Sequence, residues 1–287
     1  MTKQPLNMRS WVRRIMMLML LAPLAAVGST AVLSAPRADL WPLWEAHDPA
    51  STRIIDHARW TKFLQRHVHT DAAGVNRVAY ARIPETDRHD LAAYLSAIAA
   101  APVSTLRRAE QRAFWINLYN ALKVTLILDH YPVASIRDID ISPGLFADGP
   151  WDKALVTVEG VPVSLNDIEH RILRPIWRDP RLHYALNCAS VGCPNLQRRA
   201  FTTMNAPSLL DRAARDFVNS PRGARLEGDQ LTVSSLYVWF VEDFGGGTAG
   251  VVRHLKEFAA PDLAAALDDV TEIEDAYDWS LNDAAPQ

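Results

Sequence analysis

Ala-Phe-Trp-Ile-Asn-Leu-Tyr-Asn-Ala, residues 113–121, sits inside a stretch that is apolar on almost every side from Phe114 to Leu128. Ser104 is a fitting N-cap, and Pro132 follows shortly after His130, so one long helix is expected between them. A helix with no face reserved for water belongs at the centre of a fold. Two amides, Asn117 and Asn120, stand in it, and Glu110 shares their stripe. At 100° per residue, seven positions drift by about −20° and three more by about −60°. A buried amide without partners costs roughly 1–3 kcal/mol. These side chains therefore either pin the backbone of neighbouring loops or line a polar pocket.

Upstream of this helix, Glu85 to Ala101 reads as a second helix ended by Pro102. Ile54 to Val68 reads as an amphipathic helix on Trp60, Leu64 and Val68. Val75 to Ala81 has the look of a short strand. Downstream, Ala154–Val158 and Val161–Val163 bracket Glu159-Gly160 as a hairpin. Ser164, with Asp167 three residues on, forms an approximate capping box for a helix to Arg174, which Pro175 is expected to stop. Leu182 to Leu186, continuing to Asn187, reads as a buried strand. Leu209–Val218 is a helix, and Arg225-Leu226 with Leu231–Val233 a second hairpin. Leu236–Phe244 is read as a helix closed by Gly245-Gly246-Gly247. Val251–Phe258 and Pro261–Ala266 are further helices, and Ile273–Leu281 is a tail with strand character. Helices dominate and strands come as hairpins, so the expected class is α+β: a helix-rich single domain with a central buried helix and small antiparallel sheets.

The N-terminus reads differently. Lys3, Arg9, Arg13 and Arg14 form a basic region, Ile15 to Val27 a short apolar run, and small residues follow. This is the pattern of a signal peptide over residues 1–31, cleaved after Ala31 or Ala35. Residues 36–59 then form an N-terminal docking segment, through Leu40, Trp41, Leu43 and Trp44, onto a domain over 60–287. The leader holds four of the 30 Lys/Arg and none of the 33 Asp/Glu, so its removal takes the net charge from −3 to −7. A mildly acidic chain carries no electrostatic footprint for nucleic acid. No membrane association is expected once the signal is removed, and the expected location is periplasmic or secreted.

The candidate chemistry lies in the Asn, His, Glu and Cys residues. Asn-Cys-Ala-Ser-Val-Gly-Cys-Pro, residues 187–194, holds both cysteines of the chain. Two readings lead for them; a third, a redox-active pair, is open too, although Cys-x-x-Cys is the usual spacing for it. In an oxidising compartment, Cys188 and Cys193 would form a disulfide closing a tight loop. Alternatively one is a thiolate nucleophile with His170 or His183 as base. In a strand, His183 and Asn187 would share one face and Cys188 the other. No metal set with recognised spacing is present, and no cofactor motif: the phosphate-loop lysine, G-x-S-x-G and H-E-x-x-H are all missing.

Five pieces in order resemble the bacterial branch of the domain-of-unknown-function 547 family. They are Ala-Phe-Trp-Ile-Asn-Leu-Tyr-Asn-Ala, Ser-Leu-Asn-Asp-Ile-Glu-His-Arg-Ile-Leu-Arg, His-Tyr-Ala-Leu-Asn-Cys-Ala-Ser-Val-Gly-Cys-Pro, Tyr-Val-Trp-Phe-Val-Glu-Asp-Phe-Gly and Tyr-Asp-Trp-Ser-Leu-Asn, spanning roughly residues 60 to 282. The resemblance implies a shared fold, exported bacterial relatives and no settled activity. Two expectations follow. One is an exported hydrolase or acyl-transfer enzyme with a polar centre of Glu110, Asn117, Asn120, His170, His183, Cys188 and Cys193. The other is a non-catalytic envelope module, with a structural Cys188–Cys193 disulfide, that binds a small molecule, peptide or glycan.

Overall fold

The structure is a computed structural model that describes residues 36–144 and 149–284. The leader expected over 1–31, with both cleavage points, lies outside the described residues.

The central helix forms as its composition demands. It runs Arg108–His130 (α3), and of its residues from Ala113 to Leu128 all but Thr125 are buried. Around it lie α1 (Ala58–His67), α2 (Glu85–Ala99) and the hairpin β3–β4 (Ala154–Val158, Val161–Ser164). A short hairpin β1–β2 (Val68–Thr70, Asn76–Val78) follows α1. Ser104 is not the N-cap. It lies in a 3-10 turn, and its hydroxyl donates to Glu159 at 2.7 Å, while Arg107 precedes the helix. Residues 36–45 pack against this body: Trp44 is buried and meets Trp115 edge-on at 5.0 Å.

The helix after Ser164 begins with the expected reciprocal cap. The Ser164 hydroxyl donates to Asp167 at 2.9 Å, and the Asp167 N–H donates to Ser164 Oγ at 3.0 Å. Pro175 does not stop it. A π-helical stretch, Asp167–Leu173, runs directly into α4 (Arg174–Trp177), which ends at Arg178 in the left-handed region. A proline inside a helix removes one N–H donor and orphans the carbonyls behind it. Here those carbonyls are taken over by the N-terminal segment. The Asp39 N–H donates to His170 O and the Trp41 N–H to Arg171 O, each at 2.9 Å.

The buried strand expected over Leu182–Asn187 is absent. Pro180–Tyr184 is a 3-10 helix whose N-cap, Asp179, accepts from the Arg181 N–H. Periodicity cannot separate a short buried strand from a buried helical turn, whereas Asp-Pro at the start is a helix-initiation signal. The following residues are irregular, so the expected sharing of one face by His183 and Asn187 fails with the strand.

A second apolar cluster is built from α5 (Ala206–Val218), α6 (Ser235–Trp239), α7 (Gly247–Phe258) and the sheet β5–β6–β7 (Ala224–Glu227, Gln230–Ser234, Ile273–Ala276), with Tyr184 at its centre. Helix α6 is shorter than expected and gives way to turns, and Gly247 starts α7. α8 (Pro261–Ala266) forms as expected. The fold is α+β with small sheets. One pairing departs from the expectation: β5–β6 is an antiparallel hairpin, but the tail strand β7 adds to β6 in parallel.

Candidate functional site

The polar residues of α3 have different jobs. Glu110 accepts from the Ile55 N–H at 2.8 Å and from the Thr203 hydroxyl, so it ties two remote segments to the helix. Asn117 meets the Phe201 backbone twice: its Nδ2 donates to the carbonyl at 2.7 Å and its Oδ1 accepts the N–H at 3.0 Å. Both residues have all their observed partners among loops, and neither bonds a histidine or a sulfur. Asn120 makes the same two-armed contact further along, to Ala185 O at 2.8 Å and from the Asn187 N–H at 3.0 Å. It acts as a substitute strand neighbour for the chain entering the cysteine loop.

Lys123, one turn beyond Asn120, is fully buried, and its ammonium donates to Asn187 Oδ1. The same oxygen accepts from the Ala189 N–H at 3.1 Å and from Asn282 Nδ2 at 3.3 Å. Ala189 is held at φ 61°, a left-handed conformation that costs a non-glycine residue about 1 kcal/mol or more and that clusters at functional sites. This turn puts the two cysteines together. They are free thiols with their sulfurs 2.7 Å apart, Cys193 buried and Cys188 half-buried. A disulfide bond would need about 2.05 Å. The Cys188 N–H also donates to Cys193 Sγ at 2.8 Å.

The C-terminal tail completes the group. Val191 and Gly192 donate backbone N–H groups to Ser280 O and Asp278 O, both at 2.8 Å. A Cβ at Gly192 would lie 2.7 Å from Asp278 N, so only glycine permits this approach. The Tyr277 hydroxyl is thereby placed 2.8 Å from Cys188 Sγ and 2.9 Å from Ser190 Oγ, and Ser190 Oγ is itself 3.2 Å from the sulfur. Burial acts to raise the pKa of Cys188. Hydrogen bonds from Cys193, Ser190 and Tyr277, together with the charge of Lys123, outweigh it and bring the value down to about 7. Cys193 is pushed the other way, by burial and by the negative charge of its neighbour. The two shifts favour the thiolate at Cys188 and the thiol at Cys193.

The histidines gather elsewhere. His183 Nε2 lies 2.7 Å from Asp243 Oδ2 and its Nδ1 3.7 Å from Glu169 Oε1, with its ring stacked on Phe240 at 4.4 Å. Arg174 Nε donates to the same Asp243 oxygen at 2.6 Å, and its Nη1 lies 3.0 Å from His170 Nδ1. Bonds from His183 and Arg174 hold the Asp243 carboxyl well below the usual range, against burial that would raise it. Arg174 and Asp243 line an outer hollow of about 420 Å³ with Arg178, Asp179 and Glu242. Neither His170 nor His183 hydrogen-bonds a sulfur. The seven residues singled out from the sequence therefore fall into three places. Cys188, Cys193 and Asn120 form one group, His170 and His183 a second, and Glu110 and Asn117 hold loops. Lys123, Ser190, Tyr277 and Asp243 were missed. Lys123 was visible as a lone charge within an otherwise apolar run, three residues after Asn120. Among the described residues no cluster of His, Cys, Asp and Glu is arranged to hold a metal ion.

Burial lowers the pKa of His170, His57 and His254 alike, to about 4 each. A histidine whose folded pKa is depressed binds its proton in the unfolded chain first. It therefore removes stability as pH falls from about 6.5 toward 4. Each contributes roughly 1–3 kcal/mol over that window. Acid unfolding followed by circular dichroism should thus begin near pH 6 and be largely complete by pH 4. Replacing His254 by Gln should move the midpoint to lower pH.

The family described as Protein of unknown function, DUF547, matches residues 103–218. That stretch belongs to the DUF547 family. It holds α3, the π-helical segment, the 3-10 turn and the cysteine loop, and it is narrower than the 60–282 span over which motifs were recognised in the sequence. Tyr277 and Asp243 lie beyond the DUF547 match, so each group of side chains is completed by a residue from the C-terminal part. No curated protein and no solved structure matches this chain. Among the described residues, no helix is long and apolar enough to cross a membrane.

Proposed function

We propose that this DUF547 protein is a thiol–disulfide exchange protein in which Cys188 attacks and Cys193 resolves. One observation carries the reading: the half-buried Cys188 sulfur has the second thiol, a tyrosine hydroxyl and a serine hydroxyl all within 3.2 Å. Each of these three groups can donate to a thiolate at Cys188, which is the nucleophilic form. The Cys188 thiolate attacks one sulfur of a substrate disulfide, the substrate S–S bond breaks, and the first thiolate leaves. Cys193 then gives up its proton to the released substrate thiolate and attacks Cys188 Sγ. The mixed disulfide breaks, the second substrate thiolate leaves, and two electrons have passed to the substrate.

This reaction needs no general base beyond the two thiols. Hydrolysis or acyl transfer needs a group that carries a proton to the leaving atom, commonly an imidazole. Both histidine candidates are occupied away from the sulfurs, by Arg174 and by Asp243. The acyl-transfer reading therefore has less support than exchange. The basic and apolar leader pattern supports export, and with it a periplasmic or secreted setting for this chemistry.

The rival is a non-catalytic binding module in which the same sulfurs are locked as a structural disulfide. Its support is the half-buried ring group of Trp239, Tyr277 and Trp279, with centroids 4.7–5.5 Å apart, which offers a surface to a ligand. Equilibration of the purified chain with glutathione redox buffers separates the two. An exchange protein converts between dithiol and disulfide in the range of about −230 to −120 mV. A pair that stays oxidised below about −300 mV is a structural bridge, and the exchange proposal fails.

A further inference from the structure

The interior of the DUF547 region contains a lysine that nothing acidic balances. Lys123 is fully buried, its ammonium bonds only the neutral Asn187 Oδ1, and among the described residues no carboxylate pairs with it. An uncompensated buried ammonium is costly enough that such groups ordinarily lose their proton. Asn187 is the residue immediately before Cys188, and Asn120 fixes its backbone one turn from Lys123. The negative charge that can balance the ammonium is the thiolate shared by the two cysteines.

The other charged and titratable groups facing this interior do not replace it. Tyr119, on the same helix, donates its hydroxyl to Glu169 at 3.0 Å, and burial raises its pKa well above the ordinary value. Tyr80, which donates to Asn282 Oδ1 at 3.1 Å, and Tyr277 are likewise held neutral by burial. Asp283 accepts from the Tyr131 hydroxyl. Arg222 adds a second positive charge, with Nη1 donating to Val191 O at 2.8 Å and Cys193 O at 2.7 Å. Both cations beside the loop of the reduced pair therefore favour an anionic sulfur.

We infer that Lys123 is the proton store of the Cys188–Cys193 couple, an ammonium while the pair is reduced and a neutral amine once the disulfide forms. The inference rests on the exchange reading of the site. Its balance closes with an external disulfide as the oxidant. The Cys188 thiolate, the Cys193 thiol and the Lys123 ammonium react with one external disulfide to give the internal disulfide, two external thiols and the Lys123 amine. One of the two protons on the released thiols comes from Cys193 and the other from Lys123. In the reduced protein, burial lowers the lysine pKa and the sulfur charges raise it, leaving it at about 8. Loss of those charges on oxidation lets burial act alone and drives the value lower. The site then releases a proton as it is oxidised, which makes its oxidising power depend on pH through a side chain that never touches substrate.

Nζ-detected NMR of the full chain labelled with ¹⁵N-lysine tests this directly. The protein is compared in the dithiol form and after closure by diamide. The Lys123 signal should titrate near 8 when reduced and at least about one unit lower when oxidised, a tenfold change in proton affinity. An identical midpoint in both forms, or a pair that diamide cannot close, overturns the inference. Lys123→Met gives a second reading where it folds. At pH 7 its Cys188 should be alkylated at least about tenfold more slowly, and its equilibrium with glutathione should move about tenfold toward the disulfide, or about 30 mV. A purely packing role would move neither. Closure by diamide with the lysine shift, but no reaction with glutathione, would leave the proton store standing and remove exchange as the function.

Discussion

Replacing Cys188 by Ser is expected to abolish exchange with glutathione disulfide, by at least about a hundredfold, while the melting temperature stays within a few degrees of the parent. A serine hydroxyl fits the space and keeps hydrogen bonds to Ser190 and Tyr277, but it does not ionise near neutral pH and is no nucleophile toward sulfur. Cys193→Ser should behave in the opposite way. The attacking thiolate remains, the resolving thiol is gone, and the protein should accumulate as a mixed disulfide with glutathione, heavier by one glutathionyl group. Intact-mass spectrometry after brief exposure to glutathione disulfide reads both outcomes. If Cys193→Ser stays unmodified while Cys188→Ser is the one trapped, the assignment of roles is reversed. If neither reacts, the loop is inert.

Asn117→Ala should instead cost stability without touching the sulfur chemistry. The substitution removes both contacts to the Phe201 backbone, leaving a buried N–H and a buried carbonyl unpaired. Each unsatisfied group costs about 1–3 kcal/mol, so the loss is about 2–6 kcal/mol in all. In a domain of this size, that lowers the melting temperature by about 4–24 °C. Below the transition, the alkylation rate of Cys188 should match the parent, because the Phe201 loop shares no hydrogen bond with the cysteine group. A variant that melts like the parent would mean Asn117 is not holding the fold. A variant that loses thiol reactivity while still folded would place it in the site after all.

The contrast between these two residues shows how far the sequence could be read. The central helix was legible because fifteen residues in a row, Phe114 to Leu128, of mostly apolar side chains leave no other place for it. Two amides on that helix were visible as a problem for burial, but which of them served chemistry was not. The answer depends on which loop each one meets, and both loops lie more than sixty residues away in the chain. The cysteine loop was legible as a motif. Its partner Tyr277 was not, because the tail approaches through backbone bonds at Gly192 that carry no sequence period. The failed strand at Leu182–Asn187 and the helix that continues through Pro175 have different causes. At the strand a local signal, Asp179-Pro180, starts a 3-10 helix in an apolar run whose period is ambiguous, whereas at Pro175 a local rule is overridden by hydrogen bonds from residues 39 and 41.

The histidines teach a related lesson. Sequence alone offered them as bases for a thiol, since imidazole titrates near neutral pH. The fold gives His183 to Asp243 and His170 to Arg174, and it leaves the sulfur to be activated by hydroxyl donors and a buried lysine. An ammonium three residues beyond a pocket amide, within a stretch from Ala113 to Leu128 that is otherwise without charge, is the kind of mismatch between burial and polarity that repays attention in related sequences.

The central claim is that one of two adjacent sulfurs is a thiolate at neutral pH. The most direct measurement is the pH dependence of iodoacetamide alkylation on the fully reduced chain, with each cysteine followed separately by peptide mass spectrometry. Cys188 should react with a midpoint near 7, and Cys193 should stay protected until well above 9. Two cysteines that both titrate as ordinary thiols near 8.5, or that are both unreactive in the folded protein, would contradict the account.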